Sequence, residues 1–215
     1  MNDTNHGKRV GDIASQIGNQ LGLNDLDIQY AFELGLLHDC GVSTEQMHSS
    51  LVNHFDWNDA HVHCYIGHQL LKSFEPLSKF SVPILHHHTP WVELSNKDIS
   101  VYDALMANLI FISDRIDVMS ATHYETDILL AKEQIVEAIT GYSGAYFDPE
   151  LVKAFQKIER SEAFWITLED RHITRYTCDM GKLSSNYPLT LEQIKHLSLI
   201  MSYIVDQKSP FTAQH

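Results

Sequence analysis

An adjacent histidine and aspartate are the residues best suited to metal chemistry in this chain. His38 and Asp39 stand together in the run FELGLLHDCGVS, at the end of an apolar stretch. An imidazole can bind one cation while the neighbouring carboxylate bridges to a second, and such paired ions lie about 3.5 to 4 Å apart. Further candidates follow within or at the end of apolar runs: His63, His86, His87, His88 and Asp114. The pattern predicts a metal site with hydrolytic chemistry.

Histidine is abundant, at 14 of 215 residues, and seven of these fall in the 35 residues from His54 to His88. Clustering of this kind indicates that some of these histidines are metal ligands. A lone histidine in a helix usually makes an ordinary hydrogen bond. This interpretation is adopted for seven other histidines: His48, His54, His61, His68, His123, His172 and His196.

Charge and composition limit the partners. The net charge is -13 and the 15 Lys and Arg residues are spread along the chain, whereas a nucleic-acid surface needs clustered cations. No nucleic-acid partner is therefore expected. A small phosphorylated nucleotide remains compatible, because two divalent ions place positive charge where a phosphate would lie.

Length and terminal sequence indicate one cytoplasmic domain. A chain of 24.6 kDa with 44% hydrophobic residues can bury one sizeable core. Met1 is followed by the polar run NDTNHGKR, and no run approaches the roughly 18 apolar residues that a membrane span needs. The three cysteines, Cys40, Cys64 and Cys178, are irregularly spaced, so reduced thiols are expected.

Apolar residues recur with helical periodicity throughout, which predicts an all-α protein. Residues 8–22 form one apolar face that ends at Gly22, and residues 25–38 carry His38 to a helix end. Residues 170–190 are polar and contain Gly and Pro, so we expect a loop there, and Thr190 with Gln193 predicts a capping box for the last helix. Further helices are predicted at about 58–75, 77–88, 98–119, 125–140, 149–158, 161–169 and 191–207.

The order of these residues resembles the HD superfamily of metal-dependent phosphohydrolases, and within it the HD-GYP branch, whose members cleave cyclic di-GMP or related cyclic dinucleotides. The resemblance covers residues 6–165 and includes the later stretch GAYFDPELVKAF. It rests on His6, His38, Asp39, His63 with Gly67, His87, His88 and Asp114. It implies an all-α HD-domain helical bundle with additional C-terminal helices: a single domain over 1–208, with a metal-binding core at about 6–120, a helical extension at about 121–208 and a tail at 209–215.

The resemblance also implies a ligand set for two divalent ions, Fe or Mn. His6, His38, Asp39 and Asp114 would hold one ion. Asp39 as the bridge would hold the other together with His63, His87 and His88, and Asp39 and His38 are the expected catalytic residues. Successive helical residues point about 100° apart, so the three consecutive histidines cannot all face one ion, and His86 remains an alternative ligand. Imidazole and carboxylate ligands suit Fe, Mn or Zn, and Cys40 is expected to point away from Asp39.

Two departures from the family pattern concern the substrate. Val42 occupies the position where the family usually has a lysine, and the chain reads VELSNKDIS after HHTPW, without the GYP motif. Arg115 is a candidate replacement for the phosphate-binding lysine, and Asp117 is a candidate for orienting a ligand histidine. The aromatic residues Phe147, Phe155, Phe164 and Trp165 are interpreted as core.

The leading hypothesis is a phosphodiesterase that uses a metal-activated water on a nucleotide phosphoester, such as cyclic di-GMP. A regulatory or nucleotide-sensing module is the alternative, and oxygen chemistry at a di-iron site is a third reading. The run YIVDQKSPFTAQH at 203–215 contains Thr212 and His215, which echo Thr4 and His6. A second HD domain that begins near His215 is therefore a further hypothesis. The sequence predicts no oligomeric state.

Overall fold

The computed structural model describes residues 5–42, 60–124, 126–183 and 187–208, and it is all-α as predicted. In the described ranges the only β interaction is an isolated bridge between Ser143 and Phe147. The helices are α1 (His6–Leu21), α2 (Asp25–Leu37), α3 (Ala60–Lys72), a 3-10 helix (Glu75–Phe80), α4 (Ser81–His86), α5 (Trp91–Leu94), α6 (Val101–Ser120), α7 (Ile128–Gly141), α8 (Pro149–Ile158), α9 (Glu162–Thr167), α10 (Asp170–Leu183) and α11 (Leu191–Lys208).

Helices α1 and α2 form an antiparallel pair whose backbones touch. Helix α1 ends at Gly22, which adopts the left-handed conformation at φ 80°, and the Asn24 side chain then caps α2 by accepting bonds from Leu26 N and Asp27 N. A Cβ on Gly35 would overlap the backbone of Gly11, so only glycine permits this approach. The crossing brings the start of α1 beside the end of α2.

Helix α6 runs through the centre of the core. Met106, Leu109 and Ile112 on this helix are fully buried, and α6 packs against α1, α4 and α7. Because residues 106–117 of α6 are shielded from solvent, the polar side chains in this part of the helix are held in a rigid, dry environment. The aromatic residues interpreted as core are all buried, which confirms that interpretation: Phe147, Phe155, Phe164 and Trp165.

Most predicted helices agree with the structure, and α8 (Pro149–Ile158) has the predicted bounds. The predicted helix at 77–88 is instead a 3-10 helix followed by the short α4. Pro83 lies in the first turn of α4, where its missing N–H costs no hydrogen bond. The capping box is confirmed, since Thr190 Oγ1 accepts from Gln193 N at 3.2 Å and Gln193 Oε1 accepts from Thr190 N at 2.9 Å.

The loop predicted for residues 170–190 was wrong over most of its length, because Asp170–Leu183 forms α10. The helix buries a narrow stripe that includes Ile173 and Met180, seven residues apart, and it packs on α1. Other residues of the helix, such as Arg171, His172 and Arg175, are polar and exposed to solvent. Tertiary contact with α1 therefore overrides the low local apolar content that favoured a loop.

Cys64 is buried, Cys40 is half-buried and Cys178 is exposed. Within the part of the chain that the structure describes, no helix combines the length and apolar character that crossing a membrane requires. Thr4, His48, His54, Thr212 and His215 lie outside the described residues.

Candidate metal centre

The His38-Asp39 pair lies in the turn that follows α2. His38 is the C-cap of this helix, and its Nδ1 donates to the carbonyl oxygen of Gly35 at 2.8 Å. Since a carbonyl can only accept, Nδ1 carries the proton and Nε2 keeps its lone pair. His38 Nε2 is buried and has no hydrogen-bond partner, as expected of an atom that is directed at a cation.

Gly41 allows this turn to lie directly against α3. A Cβ at position 41 would overlap the carbonyl oxygen of His63 and the backbone nitrogen of Gly67. Among the described residues, positive φ occurs only at Gly22 and Gly144, so Gly41 is needed for close approach rather than for a left-handed turn. The contact places Asp39 Oδ1 at 3.6 Å from His63 Nε2.

Four of the candidate ligands form an acidic half of the site: His6, His38, Asp39 and Asp114. Asp39 Oδ2 lies 3.6 Å from His6 Nε2 and 3.5 Å from His38 Nε2. Asp114 Oδ1, from the middle of α6, lies 3.3 Å from His6 Nε2 and 3.8 Å from His38 Nε2. Each of the two imidazole nitrogens therefore lies within 3.8 Å of two carboxylate oxygens.

The other oxygen of Asp39, Oδ1, faces the imidazole half of the site. This half contains His63, His87 and His88. The Nε2 atoms of His63 and His87 are 3.3 Å apart, and His87 Nδ1 donates to the carbonyl oxygen of Ile84 at 2.7 Å. One ligand atom from each of Asp39, His63, His87 and His88 lies within 4.8 Å of the others, and the same holds for His6, His38 and Asp39.

Electrostatics differ between the two halves. Burial, and after it the neighbouring histidines, lower the pKa of His87 to about 3; burial likewise lowers the pKa values of His63 and His88. These imidazoles are therefore neutral. Burial also opposes protonation of His6, but hydrogen bonds to carboxylates, first of all that of Asp114, outweigh it and raise the His6 pKa.

The carboxylates of the site remain ionised despite their burial. Burial alone would raise the pKa of Asp39, but the nearby imidazoles, first His38, hold it well below the usual range. Burial acts on Asp114 in the same direction, and the Arg115 guanidinium is the main group that holds its pKa well below normal. Both residues are consequently anionic ligand candidates.

The atoms present fit a divalent metal. Among the described residues, His38 Nε2 and Asp39 Oδ1 are buried without a hydrogen-bond partner. A cation bound beside these two atoms would satisfy both. Nitrogen and carboxylate ligands suit Mn, Fe or Zn. Cys64, which its sequence position does not mark as a site residue, lies beside the cluster with its Sγ 3.7 Å from His63 Nε2. Burial raises the pKa of the Cys64 thiol, so it is protonated.

A hydrogen-bond network lies behind His6. His6 Nδ1 donates to Asp117 Oδ2 at 2.7 Å. Asp117 Oδ1 also accepts from Arg9 Nε at 2.6 Å and from the Tyr124 hydroxyl at 2.5 Å. Asp117 is thus where an orienting partner of a ligand histidine was expected. Tyr124 was missed because nothing local in its sequence distinguishes it from an ordinary turn residue.

Three other residues singled out from the sequence lie around the cluster. Arg115 is buried and donates from Nε and Nη2 to Asp114 Oδ2, at 3.0 and 2.7 Å. His86 belongs to neither ligand group and lines a separate cleft with Tyr65 and Lys97. Val42, at the position of the family's lysine, is buried.

Two proteins of Vibrio cholerae are similar in sequence to this chain. The chain is 34% identical over 224 aligned positions to 3'3'-cGAMP-specific phosphodiesterase 1 of Vibrio cholerae serotype O1, with 100% of this chain and 51% of that protein covered. It is 28% identical over 83 positions to 3'3'-cGAMP-specific phosphodiesterase 3 of the same organism, with 39% and 18% covered. The chain therefore spans about half the length of the first of these relatives.

A crystal structure of a cyclic GMP-AMP specific phosphodiesterase of Vibrio cholerae has the same fold. The TM-score is 0.71 at 21% sequence identity, and the superposition covers 98% of this chain and 57% of that chain. Residues 4–119 match the family described as HD domain, a range that contains every candidate ligand. With its helical fold and its cluster of His and Asp side chains that could bind metal, the chain belongs to the HD domain family.

Proposed function

We propose that this chain is a metal-dependent phosphodiesterase of the HD-GYP-like branch that hydrolyses a cyclic dinucleotide of the 3'3'-cGAMP type. One observation carries the proposal: the two oxygens of Asp39 face different ligand groups. Oδ2 lies beside His6 and His38, whereas Oδ1 lies beside His63. A carboxylate placed in this way is suited to bridge two ions. The substrates named for the two Vibrio relatives support the choice of substrate class.

The ligand assignment follows the two halves of the site. His6, His38, Asp39 and Asp114 would hold one ion, and Asp39, His63, His87 and His88 the other, with Fe or Mn preferred from the family resemblance. Ions held by these residues would supply an activated water for in-line attack and would neutralise the charge that develops on the phosphate oxygens. Asp39 and His38 are the side chains we place nearest the reacting atoms.

The protein's own contribution is orientation and exclusion of water. The carbonyl oxygens of Gly35 and Ile84 fix the rings of His38 and His87 with Nε2 directed at the site. Arg115 is our candidate phosphate contact, because its guanidinium lies beside Asp114 and Val42 provides no cation. One HD-type domain is proposed for residues 1–208, with the metal-binding core at 6–120 and a helical extension at 121–208.

Hydrolysis of 3'3'-cGAMP by the purified protein is the direct test. The protein is loaded anaerobically with Fe²⁺ or, separately, with Mn²⁺, and products are separated by chromatography; bis-p-nitrophenyl phosphate serves as a generic diester. The His63→Ala variant is the matched control and should lose turnover of both substrates. The proposal would be contradicted if neither substrate were hydrolysed with Fe²⁺ or with Mn²⁺.

A regulatory module is the second candidate, and the environment of Val42 favours it. A buried valine cannot replace the lysine, and Arg115 is already paired with Asp114. The chain also covers only about half of its first relative, and the tail at 209–215 is our candidate start of a second HD domain. Calorimetric titration with 3'3'-cGAMP distinguishes the two functions, since a sensor binds the dinucleotide without cleaving it.

A further inference from the structure

The ligand His6 is held by residues that reach beyond the metal-binding core. Asp117 accepts from His6 Nδ1, from Arg9 Nε and from the Tyr124 hydroxyl. Arg9 is 1% exposed, and its guanidinium stacks on the Tyr124 ring at 4.5 Å. The guanidinium has a second anchor, since Arg9 Nη1 donates to Asp170 Oδ1 at 2.9 Å.

Two members of this network lie outside the part of the chain that defines the family. The HD match ends at residue 119, whereas Tyr124 follows α6 and Asp170 is the first residue of α10. The two belong to the helical extension, which packs α10 directly on α1. The extension therefore contributes polar groups to the support of His6 as well as apolar surface.

We propose that Arg9, anchored by Asp170 of α10, is a positioning residue for the metal ligand His6, so that the acidic half of the site depends on the helical extension. This inference rests on the proposed metal site. It concerns the acidic half, to which His6 belongs.

The physical argument concerns where a buried carboxylate points. Asp117 is 1% exposed, and a buried anion needs a fixed cation and hydrogen bonds. The planar guanidinium of Arg9 presents donors at fixed angles: one holds Asp117 Oδ1, while Asp170 stops the group from rotating. Asp117 Oδ2 is thereby directed at His6 Nδ1, and His6 Nε2 is directed between Asp39 and Asp114.

The test is calorimetric titration of the metal-stripped 215-residue chain with Mn²⁺. The His88→Ala background disables the imidazole half, so that the titration reports the acidic half alone. Asp170→Asn is compared with Glu169→Gln, which makes the same change in charge one residue earlier and breaks the ion pair between Glu169 and Arg171 instead. Asp170→Glu is the conservative variant, because it keeps a carboxylate on α10.

In Asp170→Asn the dissociation constant of the acidic half should rise roughly two- to fivefold, because the pair is partly exposed. Arg9→Lys loses the planar guanidinium that holds Asp117. It should weaken Mn²⁺ binding to the acidic half by about 10- to 100-fold, as expected for a group that orients a metal ligand. Glu169→Gln should leave it unchanged, and Asp170→Glu should recover most of the affinity. The metal-free melting temperature should be the same in Asp170→Asn and Glu169→Gln.

Equal effects of Asp170→Asn and Glu169→Gln would overturn the inference. So would a loss of affinity in Asp170→Asn that is accompanied by a lower metal-free melting temperature than that of Glu169→Gln, which is the result expected of a purely structural contact. If Asp170→Asn leaves the dissociation constant of the acidic half unchanged while the unaltered chain takes up metal normally, this inference alone is overturned. If the unaltered chain takes up no ion, the proposed function fails as well.

Discussion

The two halves of the candidate metal centre are built in opposite ways. The acidic half combines two carboxylates with two imidazoles, and a buried polar network fixes His6 from behind. The imidazole half packs three histidines against one oxygen of Asp39, with a backbone carbonyl behind His87. Their protonation differs accordingly, because carboxylates raise the pKa of His6 whereas burial lowers those of His63, His87 and His88. One site can therefore contain two positions with different affinities and different sensitivity to protons.

The largest expected effect comes from removing the residue that the halves share. Asp39→Ala should abolish binding of both ions, because each half loses an oxygen ligand, and metal content should fall from about two ions per chain to nearly none. Plasma emission spectrometry of the purified variant measures this. Full retention of two ions would refute the bridging assignment of Asp39.

Gly41→Ala tests how the halves are brought together. The added Cβ would overlap the backbone of α3, so we expect a loss of about 2 to 3 kcal/mol in the free energy of unfolding and loss of both ions. Denaturant titration and metal analysis measure the two effects. Gly181→Ala is the control, because a Cβ there meets no atom within 4 Å. A Gly41→Ala variant as stable as this control contradicts the proposed contact.

Variants of single ligands should separate the halves. His88→Ala should remove about one ion and leave the acidic half occupied, whereas Asp114→Asn should do the reverse. Metal content after dialysis against a limiting chelator measures the difference. Loss of both ions from His88→Ala would show that the halves form one cooperative site.

The smallest expected effect is a difference in pH dependence. The raised pKa of His6 means that an ion in the acidic half competes with a proton, and this competition grows as the pH falls through and below that pKa. The imidazole half has no such competitor at neutral pH, since the pKa of His87 is about 3. Lowering the pH from 8 to 6 should therefore empty the acidic half first.

Metal analysis after dialysis at each pH measures this order, and Asp114→Asn serves as the control because its acidic half is already weakened. Simultaneous loss of both ions, or earlier loss from the imidazole half, contradicts the expected difference between the halves.

Local sequence predicted most of the helices, because helical periodicity and caps act over a few residues. Asn24, Gly22 and the Thr190–Gln193 box all lie at helix ends where these signals are strongest. Helix α10 was missed for the complementary reason: its buried stripe is narrow and is stabilised by packing on α1.

The sequence by itself determined the ligand candidates, since the order of His and Asp residues and the match to the HD family depend only on identity and spacing. Only the tertiary structure decided how they converge. The separation of His86 from His87 and His88, the approach of Gly41 to α3, and the position of Cys64 beside His63 all depend on how helices distant in sequence pack. The same holds for the link from Asp170 through Arg9 to His6, which joins residues more than 160 positions apart. Spacing along a chain constrains which residues share a helix face, but only packing decides which faces meet.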